Sequence, residues 1–241
     1  NNPFPRYAAS AAAQTGSRWA FTESCAVYGS GLTCAEIRAV AGFQYARGIN
    51  LFSIIGTQYD RSDFLMAGER PCFDAEMPGA AGVARLNGML ARMNYLLSLG
   101  CRRCDTALYL PIRDIWADDA LSAWITACHS AAARALEDCR CDFDLVDDDV
   151  LEASEIAAGQ GVIAAGAASY RTVVVAGARY IGERALSVLR RFAVSGGKLV
   201  WISEDGMLQP PEGAIAAEIG TLRRHIPPTA VILPEDVPVR A

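Results

Sequence analysis

Short apolar runs alternate along this chain with segments whose apolar positions recur every three or four residues. The first pattern suits buried strands and the second suits amphipathic helices. Tyr7 to Gln14 reads as an alanine-rich helix that Gly16 is placed to end. Arg18 to Thr22 (RWAFT) reads as a strand, followed by a glycine-rich loop, Tyr28-Gly29-Ser30-Gly31. Thr33-Cys34-Ala35-Glu36 has the spacing of a capping box, in which the Thr hydroxyl takes one orphan N–H and the Glu carboxylate reaches back to another. The helix it opens carries Ile37, Val40, Ala41 and Tyr45 on one face, and Gly48 sits where it should stop. Ile49 to Ile55 (INLFSII) has strand length. Residues 56–82 are polar and punctuated by Pro and Gly, and they read as a long loop, which in a folded domain is usually functional or disordered. A helix over Ala84 to Leu99 follows, with Leu86, Leu90, Met93 and Leu97 on its apolar face.

A second series begins after the Cys101-Arg102-Arg103-Cys104 connector. Thr106–Leu110, Phe143–Val146, Thr172–Ala176, Lys198–Ile202 and Ala230–Leu233 read as strands. TVVVA is continuously apolar and β-branched but for its ends, as expected of a strand covered on both faces. Helices are expected from a cap at Asp118 to about Asp138, from Asp147 to Ala153, and from Ile181 to Val194. Five strands alternating with helices predict a three-layer, flavodoxin-like open parallel sheet.

Composition narrows the class of protein. With 241 residues and 52% hydrophobic content, the chain can bury a core without covalent staples. No stretch of 18 apolar residues predicts a transmembrane helix. A net charge of −5, with the basic residues scattered, argues against nucleic acid as a partner. The first residue is Asn1 and no signal-peptide pattern is visible, so either a leader was removed or the chain is a piece of something longer.

Several motifs compete for a chemical role. Glu23 ends the strand RWAFT, just before the glycine-rich loop, and parallel α/β folds place their chemistry at the carboxyl ends of strands. A carboxylate there can serve as nucleophile or general base in glycoside cleavage; the bland alternative is an ion pair or a helix cap. Gly29-x-Gly31 is a poor dinucleotide fingerprint, because position 34 is Cys34 and Glu23 to Tyr28 intervene after the strand. The eight cysteines include Cys101-x-x-Cys104 and Cys139-x-Cys141. Zinc knuckles usually pair two CxxC motifs, so buried or loop thiols are the expected reading and no metal is assigned. Asp147-Asp148-Asp149 reads as a helix cap complementing the helix dipole, with a hard-cation site as the alternative. Only His129 and His225 are available for a triad, and neither accompanies a nucleophile-elbow motif. The turn after TVVVA lacks a cysteine nucleophile, so the second half reads as structural.

Three stretches then resemble a known family. Ala9-Ser10-Ala11-Ala12 before a strand ending in Glu23-Ser24, the loop Tyr28 to Thr33 (YGSGLT), and Arg47 to Phe52 (RGINLF) are similar to the last two strands of the (β/α)8 barrel in large bacterial glycoside hydrolases. The likeness is to α-L-rhamnosidase-type enzymes and relatives near the β-galactosidases. MNYLLSLG, TALYLPIRDIW, CDFDLVDDDVL, YRTVVVAGARYI and GGKLVWI are similar, in that order, to the class I glutamine amidotransferase-like domain that follows the barrel in such enzymes.

The resemblance implies an incomplete (β/α)8-barrel segment over residues 1–104, followed over 105–241 by a flavodoxin-like, amidotransferase-like domain without catalysis. It implies a hydrolase of O-glycosidic bonds with Glu23 as nucleophile or base, and with Tyr28, Gln58 and Tyr59 on loops lining the sugar pocket. No cofactor is implied. The expected partner is an oligosaccharide or glycoside, with no nucleic acid and no membrane; homo-oligomer formation is admitted. The expected setting is a soluble protein of the bacterial cytoplasm or periplasm. The rhamnosidase-type relatives often carry a His near the end of the eighth strand, where this sequence has Gly56-Thr57-Gln58-Tyr59. Since a closed barrel needs eight strands and only two are visible, the chain is expected to be a fragment, inert alone, whose second carboxylate lies elsewhere. Asp60, Asp63 and Glu69 are the candidates if it lies within. A non-catalytic flavodoxin-like module for assembly or ligand binding is the alternative.

Overall fold

The computed structural model describes residues 4–26, 28–29, 31–54, 56, 79–117, 119–157, 159–204, 207–218 and 222. The chain divides into two units. One comprises Asn1–Ser10, Gln14–Gly16 and Arg103–Ala241, the other Ala11–Ala13 and Ser17–Arg102.

The larger unit is built on a five-stranded, fully parallel sheet. Its strands are β3 (Thr106–Tyr109), β4 (Asp144–Val146), β8 (Thr172–Ala176), β9 (Lys198–Ser203) and β10 (Ile215–Glu218), hydrogen-bonded in the order β10-β9-β8-β3-β4. Counted within the sheet, that is the order 2-1-3-4-5. The reversal of strand order falls between β3 and β8, whose register pairs Thr106 with Thr172 and Leu108 with Val174.

Alternation along each strand supplies two cores. Ala107, Tyr109, Val173, Val175, Leu199 and Trp201 face one way, onto Ala185, Val188, Leu189 and Phe192 of α7 (Glu183–Val194). Leu108, Leu145, Val174, Ala176 and Ile202 face the other way, onto Trp124, Cys128, Ala131 and Ala132 of α5 (Asp119–Asp138). Each fully covered Val, Leu or Phe contributes about 1.5–3 kcal/mol, so covering both faces suits continuously apolar strands such as β8. The short helices α4 (Ile112–Ala117) and α6 (Asp148–Glu152) follow β3 and β4 directly. A separate antiparallel sheet, β5 (Glu155–Ala157), β6 (Val162–Ala165) and β7 (Ala168–Tyr170), adds Ile163, Ala165 and Tyr170 to the first core.

The outer edge of β4 is closed by α1 (Pro5–Thr15). The Leu145 amide donates to the Ser10 hydroxyl at 2.8 Å, and the Gln14 side-chain amide donates to the Leu145 carbonyl at 2.7 Å. Unpaired edge groups are thereby satisfied by side chains. Residues 5–10 and 14–15 of this helix belong to the larger unit.

In the smaller unit, β1 (Phe21–Ser24) and β2 (Leu51–Ile54) form a parallel pair. Phe52 and Ile54 pack with Ile37 and Ala41 of α2 (Cys34–Tyr45) and with Leu86 and Leu90 of α3 (Ala80–Ser98). The capping box forms as expected: the Thr33 side chain accepts from the Glu36 amide, and Glu36 accepts from the Thr33 amide at 2.8 Å.

Three expectations shift. The strand expected over Arg18 to Thr22 begins at Phe21, because the Ala20 amide is taken by the Asn50 side chain at 2.8 Å rather than by a strand partner. The fifth strand of the large sheet is Ile215–Glu218; the segment expected in that role, Ala230–Leu233, lies outside the described residues. The antiparallel β5–β7 sheet has no counterpart among the expected strands, since its alanine-rich sequence carries little β-propensity. Among the described residues, no helix is long and apolar enough to cross a membrane.

Candidate functional site

The exposure pattern along β1 alternates, with Phe21 and Glu23 outward and Thr22 and Ser24 inward. Period-two geometry dictates this. The inward pair is committed to structure. The Thr22 hydroxyl donates to the Gln44 side-chain oxygen at 2.5 Å, and the Gln44 amide donates to the Ser24 hydroxyl at 2.9 Å. Glu23 is thereby left on the opposite, open face, level with Ser53 across the register and one step beyond the Phe21–Leu51 pair. An acid, a hydroxyl and two apolar side chains thus line one face of the strand pair at its carboxyl end.

The chain leaves β1 sharply. Cys25 has φ of 70°, a left-handed conformation unusual for a non-glycine residue, and its side chain is buried. Burial also pushes the Cys25 thiol pKa up, which keeps it protonated and poorly nucleophilic. Such backbone strain clusters at functional sites, and here it directly follows Ser24. Tyr28 is exposed beyond this turn. Gln58 and Tyr59 lie outside the described residues, as do Asp60, Asp63, Glu69 and His225. Among the described residues of this unit the other carboxylate is Glu36. Its bonds to Thr33 hold its pKa below the usual range and commit it to the helix cap. Of the four expected site residues, then, Glu23 and Tyr28 are placed, and Ser53 joins Glu23 without having been anticipated. Its signal was available in the alternation of INLFSII, once paired in parallel with the strand before it.

The Asp147-Asp148-Asp149 run separates in three directions. Asp147 caps α6 by accepting from the Val150 amide at 2.9 Å. Asp148 is buried, accepting from the Tyr109 hydroxyl and from the Gly182 amide, both at 2.7 Å. Asp149 points outward to Arg113 at 3.0 Å. The cap reading holds for Asp147, while Asp148 serves the sheet rather than a cation. Asp114 is buried nearby and accepts from the Arg179 amide at 2.8 Å; burial raises its pKa despite that bond. Two carboxylates therefore occupy the carboxyl end of the sheet where strand order reverses, the place where open α/β sheets usually bind ligands. Among the described residues, no group of three or more His, Cys, Asp or Glu side chains is arranged to hold a metal ion. His129 is buried mid-helix with Nε2 lacking a hydrogen-bond partner, and desolvation lowers its pKa to about 4.

No family model matches this sequence, and no curated protein matches it. Solved structures do resemble it. A rhamnosidase from Novosphingobium sp. PP1Y aligns over 88% of this chain with a TM-score of 0.58 and 17% identity, and the chain spans 20% of that protein. Gan42B, a GH42 beta-galactosidase, aligns over 75% with a TM-score of 0.47 and 12% identity, this chain spanning 26% of it. An exo-carrageenase GH42 from Bacteroides ovatus aligns over 81% with a TM-score of 0.46 and 10% identity, with 27% of its length spanned. The likeness to the rhamnosidase is one of fold: a mixed α/β chain with a parallel sheet, matching a fifth of a larger glycoside hydrolase.

Proposed function

We propose that this chain is part of a glycoside hydrolase acting on an oligosaccharide or glycoside, with Glu23 as its nucleophile or general base. The observation that carries the reading is the position of Glu23: a solvent-facing carboxylate at the carboxyl end of a parallel strand, in a chain whose fold follows a rhamnosidase over most of its length. In this reading residues 1–104 contribute the last two strands of a (β/α)8 barrel, and Tyr28, Gln58 and Tyr59 belong to loops around the sugar. Residues 105–241 form a flavodoxin-like, amidotransferase-like domain, supported by the strand order 2-1-3-4-5 with helices on both faces. That domain is structural in this reading, because Asp114 is bonded to the Arg179 amide and Asp148 to the Tyr109 hydroxyl and the Gly182 amide of the chain itself.

Glycosidases of this type use two carboxyl groups about 5–9 Å apart. Glu23 supplies one, and its partner is assigned to the rest of the enzyme. The test is Glu23→Gln in the intact enzyme, assayed on aryl glycosides. Losing a general base alone lowers turnover by about 10²–10⁴, and losing a nucleophile lowers it further. Near-normal turnover would move the catalytic role elsewhere. Loss of turnover together with a lowered melting temperature would make Glu23 structural.

A further inference from the structure

Two of the eight cysteines, Cys104 and Cys141, lie just before two neighbouring strands of the sheet. β3 pairs with β4 in parallel, Ala107 opposite Asp144 and Leu108 opposite Leu145. Continuing that register three residues toward the N-terminal ends sets Cys104 opposite Cys141. Alternate residues of an extended chain share a face, so Cys104 lies on the face of Thr106, and Cys141 on that of Phe143. The contacts agree. The Cys104 thiol donates to the Thr106 carbonyl at 3.1 Å, and the Cys141 sulfur lies 3.5 Å from the Thr106 hydroxyl. Two thiols thus contact one residue, one at its carbonyl and one at its hydroxyl, from the segments that lead into β3 and β4. Neither is joined in a disulfide, and both are partly exposed.

We infer that Cys104 and Cys141 form an oxidisable dithiol pair that closes into a disulfide across the N-terminal ends of β3 and β4 under peroxide. Adjacent strands lie about 4.8 Å apart, inside the Cα separations of about 4.4–6.8 Å that a disulfide bridges. In the first step one thiol gives up its proton and attacks hydrogen peroxide; the O–O bond breaks, leaving a sulfenic acid and one water. The second thiol then displaces the sulfenic oxygen, which leaves as a second water while the S–S bond forms. Two protons and two electrons pass from the thiols to the peroxide, and a dithiol reductant reverses the step. The motif partners Cys101 and Cys139 are not part of the pair. Cys101 and Cys139 are exposed, and Cys139 is separated from Cys141 by Arg140, whose φ of 55° turns the backbone between them.

The sequence makes the test clean. Arg103 and Arg140 immediately precede the two cysteines, so trypsin cuts Cys104 away from Cys101 and Cys141 away from Cys139. The full chain is exposed to hydrogen peroxide at low equivalents, alkylated, digested and mapped by mass spectrometry, with and without dithiothreitol. The expected product is one linked species joining the peptides that begin at Cys104 and Cys141, lost on reduction. Cys104→Ser or Cys141→Ser abolishes it, while Cys101→Ser and Cys139→Ser leave it intact. The oxidised chain melts several degrees higher than the reduced chain, because the bridge restricts the unfolded loop between the two residues. Predominant linkage of Cys101 to Cys104 or of Cys139 to Cys141 would overturn the assignment. So would both thiols remaining alkylatable while the chain is folded.

Discussion

The Tyr109 hydroxyl, at the carboxyl end of β3, donates to the buried carboxylate of Asp148 across 2.7 Å. The same carboxylate accepts the Gly182 amide and lies 3.7 Å from the Arg113 guanidinium. One side chain thereby joins β3, the start of α6 and the start of α7. Burial and the adjacent Asp148 charge push the Tyr109 pKa far above its ordinary value, so the hydroxyl stays a donor at every relevant pH.

Removing either partner should therefore be costly. Tyr109→Phe leaves Asp148 short of one bond and is expected to lose about 1.5–3 kcal/mol, as for hydrogen bonds to charged groups. Asp148→Ala strands both donors and is expected to lose about 3–5 kcal/mol. Asp149→Ala, two atoms of backbone away but on an 86% exposed side chain, is expected to stay within about 0.5 kcal/mol. Urea unfolding of the three variants checks the order.

Gly182 marks how closely the loop approaches this carboxylate. A Cβ there would stand 2.6 Å from Arg113 Nη1 and 2.9 Å from Asp148 Oδ1. Gly182→Ala is expected to cost about 1–3 kcal/mol through overpacking. Combining it with Arg113→Ala should recover part of that loss, since one clashing atom is gone. A double-mutant cycle measures the coupling; strict additivity would mean the clash is relieved elsewhere.

His129 predicts a pH dependence. Its folded pKa, about 4, lies below the ordinary 6.5 because burial disfavours the charged ring. Between those values the unfolded chain binds the extra proton and the folded chain does not, so stability is full above pH 6.5 and falls as pH drops toward 4. The loss on the acid side is on the order of 3 kcal/mol. His129→Leu should flatten this part of the profile and leave stability at pH 8 unchanged or raised, because an unpartnered ring nitrogen is removed. Chemical unfolding from pH 4 to 8 on both proteins provides the difference, in which the carboxylates common to both cancel.

Thr33→Ala breaks the capping box of α2 and is expected to cost about 1 kcal/mol. The Glu36 pKa should return toward its ordinary value in that variant, because the Thr33 amide and hydroxyl that lower it are displaced or lost. Titration by NMR reads this directly.

Much of the local structure was legible because it depends on neighbours in the chain. The Thr33–Glu36 box and the Asp147 cap arise from contacts within a few residues, the strand TVVVA is marked by its own run of β-branched residues, and each forms at its expected place. Glu23 was legible as a carboxylate at the carboxyl end of the strand RWAFT. What was hidden has long-range causes. The β1 boundary depends on Asn50 reaching Ala20, and the placement of α1 depends on Ser10 and Gln14 reaching Leu145, more than 130 residues away. Ile215–Glu218 looks weakly strand-forming and becomes a strand because β9 offers it an edge.

The sequence by itself determined the strongly periodic helices and the continuously apolar strands, which faces are apolar and which carboxylate stands at a strand's end, since 3.6- and 2-residue periodicities are written locally. The tertiary structure alone decided what neighbouring acids do and which residue the Cys104 and Cys141 thiols share as a contact. Asp147, Asp148 and Asp149 look alike in sequence, yet burial, a tyrosine and an arginine give them three separate roles. Cys101-x-x-Cys104 and Cys139-x-Cys141 are neighbours within each motif in sequence, whereas in the fold the Cys104 and Cys141 sulfurs both contact Thr106. Both outcomes follow from pairing between distant strands, whose register depends on how two cores fill and not on the residues next in the chain.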